Sequence, residues 1–74
     1  MILRIENPTL DDVIAKIETG DYENIELLFY NKEDNMDEFI IIDSLINAFN
    51  YSLEQLKSID DSHTKFLVHF KRKN

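Results

Sequence analysis

Apolar and polar positions along the chain divide it into short segments of differing period. Leu3 and Ile5 alternate with Arg4 and Glu6, which predicts a short first strand with one apolar face. Asn7-Pro8-Thr9 ends it. Two helix starts fit the next residues: Asn7 as the cap with Pro8 in the first helical position, or Thr9 as the cap with Asp12 three residues on. Asp11 and Asp12 suit the positive end of a helix dipole in either case. Leu10, Val13, Ile14 and Ile17 then follow the i, i+3, i+4, i+7 spacing of one helical face. Gly20 stands where a left-handed residue would close the helix, so a helix from about Thr9 to Thr19 is predicted.

Ile25, Leu27 and Phe29 alternate with Glu26, Leu28 and Tyr30. Asn31 to Asn35 is a polar turn and Met36 to Ile42 is apolar again, which together read as a β-hairpin. In its second arm Phe39 and Ile41 face one way and Ile40 and Ile42 the other, the mark of a strand apolar on both faces. The run Phe39 to Ile42 could equally open a longer helix, but its β-branched residues favour the strand. From Asp43-Ser44 onward Leu45, Ile46, Phe49, Leu53 and Leu56 trace a helical stripe. Ser52 and Gln55 have the spacing of a capping box, so residues 44–60 form one bent helix or two short ones with a break at Asn50-Tyr51. Asp60-Asp61-Ser62 is a turn, Phe66, Val68 and Phe70 alternate with Lys65, Leu67, His69 and Lys71 in a last strand, and Arg72-Lys73-Asn74 is expected to fray.

The predicted fold is α+β: a βαββαβ chain of the ferredoxin-like or split βαβ plan, with two helices on one face of an antiparallel four-stranded sheet. Seventy-four residues make one domain, 1–74, since domains begin near about 50 residues. The sheet's second face would be left open, with Leu28, Tyr30, Ile40, Ile42 or Leu67 on it according to register. An apolar open face in so small a protein dimerises or grips a partner.

Composition narrows the chemistry. A hydrophobic fraction of 43% is too high for a disordered acidic tail. With no cysteine there is no disulfide framework, thiolate zinc site or thiol nucleophile. Met1 to Glu6 has none of the marks of a signal peptide and no apolar run reaches bilayer length, so a soluble, intracellular, cytoplasmic protein is expected. The net charge of −7 argues against direct binding to nucleic acid or an anionic membrane. That figure averages two unlike regions. Residues 65–73 hold four of the eight basic groups and no acid, so residues 1–64 carry −11.

Candidate reaction chemistry is sparse. Asp60, Asp61 and His63 could act as an acid–base pair or bind a metal, but turn residues of this kind usually serve the turn itself. The tripeptide Asp43-Ser44-Leu45 resembles the phosphopantetheine-bearing site of acyl carrier proteins, over three residues only. That resemblance implies a helical bundle, a Gly shortly before the tripeptide and an acidic helix after it, whereas Ile40-Ile41-Ile42 and Ile46-Asn47-Ala48-Phe49 flank it here. RNA-recognition domains share the predicted plan, yet Phe39 lacks the flanking basic and glycine residues of their stacking strand. No catalytic residue, metal ligand or cofactor is assigned, and a non-enzymatic protein is expected.

The charge layout is the strongest remaining feature. Asp11-Asp12, Glu18-Asp21-Glu23-Glu26, Glu33-Asp34-Asp37-Glu38 and Asp60-Asp61 form acidic clusters. They would either keep a solvated surface soluble or imitate nucleic-acid phosphates in the groove of a basic, nucleic-acid-handling protein. In size, acidity and composition the chain resembles small phage-encoded host-takeover and anti-CRISPR proteins. The likeness implies a protein-binding inhibitor or modulator, with Asp11, Asp12, Glu23, Glu26, Glu33, Asp34, Asp37 and Glu38 as its partner-binding residues. A homodimer or accessory subunit joined through an apolar sheet face is the other expectation.

Overall fold

The computed structural model describes residues 1–30, 36–61 and 64–73, with the backbone alone for Met36 and Asp37. It contains β1 (Ile2–Glu6), α1 (Leu10–Thr19), β2 (Asn24–Tyr30), α2 (Met36–Asn47), β3 (Tyr51–Ser58) and β4 (Lys65–Arg72). The strands form one sheet in the order β1-β2-β4-β3. The α+β class, two helices and four-stranded sheet match the expectation, but the chain order is βαβαββ and the sheet is mixed. β1 and β2 are parallel, because α1 returns the chain to the end from which β1 started. β4 is antiparallel to both β2 and β3, which leaves β1, β2 and β3 pointing the same way.

α1 starts as the second of its two predicted caps requires. The Thr9 hydroxyl accepts from the Asp12 amide and the Asp12 carboxylate accepts from the Thr9 amide, both at 3.2 Å. This reciprocal pair satisfies two of the amides that a helix start leaves without intrahelical partners. Gly20 departs from expectation. Its backbone is extended rather than left-handed, and its value is space. A Cβ there would lie 2.7 Å from the Tyr22 Cζ, inside a ring that packs on the core.

The predicted hairpin is absent, since its second arm is α2; its turn, residues 31–35, lies outside the described residues. β-branching pointed to a strand at 39–42, but Ile41 and Leu45 belong to an uninterrupted stripe with Ile42, Ile46 and Phe49 at spacings of three and four. Burying that stripe outweighs local propensity. The helix predicted beyond Asn50 is likewise a strand. β3 carries a bulge between Leu53 and Gln55, and the extra residue places Leu53 and Leu56 on one face of a strand at the spacing of a helix. Ser52 caps nothing; its hydroxyl donates to the Lys71 carbonyl at 3.2 Å. The turn into β3 rests on Asn50, whose φ of 65° is left-handed. Arg72 does not fray, because its guanidinium donates to the Tyr22 carbonyl and to Asp21, each at 2.6 Å. The Tyr51 hydroxyl donates to the same Tyr22 carbonyl at 2.5 Å.

The core lies between the sheet and the helices. Ile25 faces Phe70 and Leu27 faces Val68 across the β2–β4 ladder, and all of these are fully buried with Ile41 and Leu45 above them. Gly20→Ala must displace the Tyr22 ring and lowers stability by about 1–3 kcal/mol in urea unfolding. At Asn50 the left-handed backbone outweighs the long 3.4 Å hydrogen bond from its side-chain amide to the Lys73 carbonyl: Asn50→Ala loses about 1 kcal/mol while Asn50→Gly retains most of the stability.

Candidate partner-binding surface

The parallel arrangement of β1, β2 and β3 gathers charge at one end of the sheet. Glu6 closes β1, Asp60 and Asp61 follow β3, and α1 and α2 begin at that same end with Asp11-Asp12 and Asp37-Glu38 in their first turns. Two helix N-termini, each the positive end of a dipole, therefore point toward this acidic end and support its carboxylates. β4 runs the other way and carries Lys71, Arg72 and Lys73 to the opposite end of the sheet. There the Arg72 guanidinium meets Asp21, and the hydroxyl of Tyr51 followed by that carboxylate raises its pKa further.

The predicted partner-binding residues thus separate. Asp11, Asp12, Asp37 and Glu38 converge on the acidic end, whereas Glu33 and Asp34 lie outside the described residues. Glu23 is exposed at the opposite end, where its carbonyl accepts from the Arg72 amide at 2.8 Å. Glu26 sits on the open sheet face and accepts from Arg4 Nε at 3.0 Å. Glu6, Asp60 and Asp61 join the acidic end without having been assigned to it. Only the parallel direction of β3 places the last pair there, and the helical spacing of Leu53 and Leu56 hid that strand.

The acids differ in availability. Asp60 is committed to its turn: Oδ1 accepts from the Thr64 and Lys65 amides at 2.9 and 3.2 Å and Oδ2 from the Thr64 hydroxyl. It is a turn-forming carboxylate, and His63 lies outside the described residues. Asp12 serves the α1 cap, while Asp11 and Asp61 are exposed. Glu38 is half-buried in the first turn of α2, and that burial raises its pKa above the ordinary glutamate value.

The open sheet face mixes apolar and polar side chains, where a more apolar one was expected. Ile40 and Ile42 are on α2, leaving Leu28, Tyr30 and Leu67 among Arg4, Glu26, Asn24, His69 and Lys71. His69 Nε2 and Asn24 Oδ1 hydrogen-bond at 3.0 Å and the Lys65 ammonium stands 5.2 Å from the Tyr30 ring centre. A shallow hollow of about 230 Å³ on this face is lined by Arg4, Glu6, Glu26, Leu28 and Leu67. Its one guanidinium is already bound to Glu26, and it contains no nucleophile. Among the described residues no group of three or more His, Cys, Asp and Glu is placed to hold a metal ion. Ser44 lies in the middle of α2 rather than at the helix start that the carrier-protein resemblance implies. No described helix is long and apolar enough to cross a membrane. No protein-family model, curated protein or solved structure matches the chain.

Glu38 gives this surface a pH signature. A carboxyl whose folded pKa exceeds its unfolded value binds more protons when folded, so its share of stability is present in acid and lost as pH rises through the folded pKa. Glu38→Gln therefore melts at a higher temperature than the parent at pH 7, and the difference disappears below about pH 4, where both side chains are neutral.

Proposed function

We propose that this protein is a non-enzymatic, protein-binding inhibitor or modulator that presents its acidic end to a basic partner in place of nucleic-acid phosphates. One observation carries the reading: the fold collects Glu6, Asp11, Asp12, Asp37, Glu38 and Asp61 from separate stretches of sequence at one end, while β4 takes Lys71, Arg72 and Lys73 away from it. A predominantly acidic surface of this kind, with Lys65 at the start of β4 as a basic group beside it, steers a basic partner over distances comparable to the Debye length, and its effect weakens with salt. Exposed carboxylates such as Asp11 and Asp61 offer acceptor oxygens to Arg and Lys as phosphates do. The partner class this implies is a nucleic-acid-handling enzyme with a basic groove. The small-phage-protein likeness in composition agrees with that role.

The test is capture with immobilised protein from lysate at about 0.05 M and about 1 M salt, against the variant Glu6→Lys/Asp11→Lys/Asp37→Lys/Asp61→Lys. The expected result is a nucleic-acid-binding enzyme held at low salt, released at high salt and displaced by double-stranded DNA. Its association rate with the variant should fall by about tenfold or more. Capture indifferent to salt, to DNA and to the four reversals rules the reading out.

A further inference from the structure

The strand order leaves β1 and β3 at the two edges, and the edges are unlike. β1 is five residues long, its apolar Leu3 and Ile5 pack into the core, and Arg4 and Glu6 project from its other face. β3 is eight residues long and keeps apolar side chains in solvent. Leu53 is 42% and Leu56 56% exposed, both on the helix-covered side of the sheet. α2 packs against β3, and its Phe39, on the same flank as the half-buried Ile42 and Ile46, is 76% exposed. Among the described residues no strand pairs with the outer side of β3, and an edge of this kind is a template for pairing.

The side chains of β3 are complementary to themselves. The bulge puts Glu54 and Gln55 together on the open face, where Glu54 accepts from the Ser52 hydroxyl at 3.4 Å. Lys57 is on that face too, opposite Leu67. When two β3 strands run antiparallel about a two-fold axis perpendicular to the sheet, opposed residues must share a face. Centring the axis on Leu56 meets this condition along the strand. Leu56 then faces its own symmetry copy on the helix side, and each Lys57 faces the Glu54–Gln55 bulge of the other strand on the open side. Leu53, on the same face, flanks the apolar seam. Neither Lys57 nor Glu54 has an ion pair within its own chain among the described residues.

We propose that the β3 edge is a homodimer interface, in which two copies pair β3 to β3 about Leu56 into one continuous eight-stranded sheet with reciprocal Lys57–Glu54 contacts. The acidic ends then stand at opposite ends of the shared sheet, both open, so the interface is independent of the partner-binding surface.

Sedimentation equilibrium across a concentration series tests this on the intact chain. The parent is expected as a species of twice 8.8 kDa that dissociates on dilution. Leu56→Glu is expected to be monomeric with an unchanged circular dichroism spectrum, since the parent side chain is more than half exposed. Lys57→Glu and Glu54→Lys each place like charges opposite one another twice and raise the dissociation constant by about tenfold. The double exchange Glu54→Lys/Lys57→Glu restores it. A parent that stays monomeric throughout overturns the proposal and leaves the edge to a strand of another protein. A dimer that survives Leu56→Glu, or that the double exchange does not restore, overturns it as well. The charge reversals at the acidic end should leave the dimer intact.

Discussion

The pairing of β2 with β4 is the constraint from which the other features follow. Ile25, Leu27 and Phe29 oppose Phe70, Val68 and Phe66, so one face of the two central strands is an unbroken apolar floor. A slip of one residue would turn every one of these side chains toward solvent and bring Glu26, Leu28 and His69 inward, so the register is strongly specified. The floor needs a cover, and the chain has length enough for one helical layer. α1 crosses above as it carries the chain from β1 to a parallel β2, and α2 seats Ile41 and Leu45 on the same core. The other sheet face stays in water and is paired in polar fashion, Arg4 with Glu26 and Asn24 with His69.

Direction is the second consequence. Each crossover through a helix returns the chain to the same end of the sheet, so β1, β2 and β3 are parallel and their carboxyl ends share an edge with the N-termini of both helices. Acidic first turns are favourable at helix starts wherever they occur. Here the topology adds two such turns together and appends the turn after β3. β4, the antiparallel strand, removes its basic end from the same place. Charge separation along the molecule is thus a product of connectivity acting on ordinary helix-start composition, and it gathers dispersed acids at one end of the fold.

The edges show the same economy of length. A chain with two helices has enough apolar cover for β1, β2 and β4, and the outermost strand is covered least. Where Tyr51 is buried and hydrogen-bonded to Tyr22, β3 is tied to the body; further along, Leu53 and Leu56 emerge. A bulge twists an edge and can discourage pairing, but this one also aligns two leucines on one face and two polar residues on the other.

Strict alternation made β1, β2 and β4 legible from sequence, as did the i, i+3, i+4 spacing and the Thr9–Asp12 cap of α1. In each case a local period coincides with the buried face. The remainder failed where local and tertiary signals disagree. Phe39 to Ile42 is β-branched and apolar in a row, which reads as a strand until the stripe through Leu45 and Phe49 is given something to cover. Leu53 and Leu56 imitate a helix because a bulge adds one residue, and a bulge is specified by a partner strand that the sequence does not display. The parallel sheet, and with it the meeting of Asp11-Asp12, Asp37-Glu38 and Asp61 at one end, depended on that misread pair of elements. Composition and period therefore determined by themselves an acidic α+β domain without cysteine chemistry and the inward faces of its central strands. The direction of β3, the identity of α2 and the place where the charges collect were decided by tertiary structure, because long-range burial and strand pairing outweigh the fractions of a kcal/mol that separate local conformational preferences.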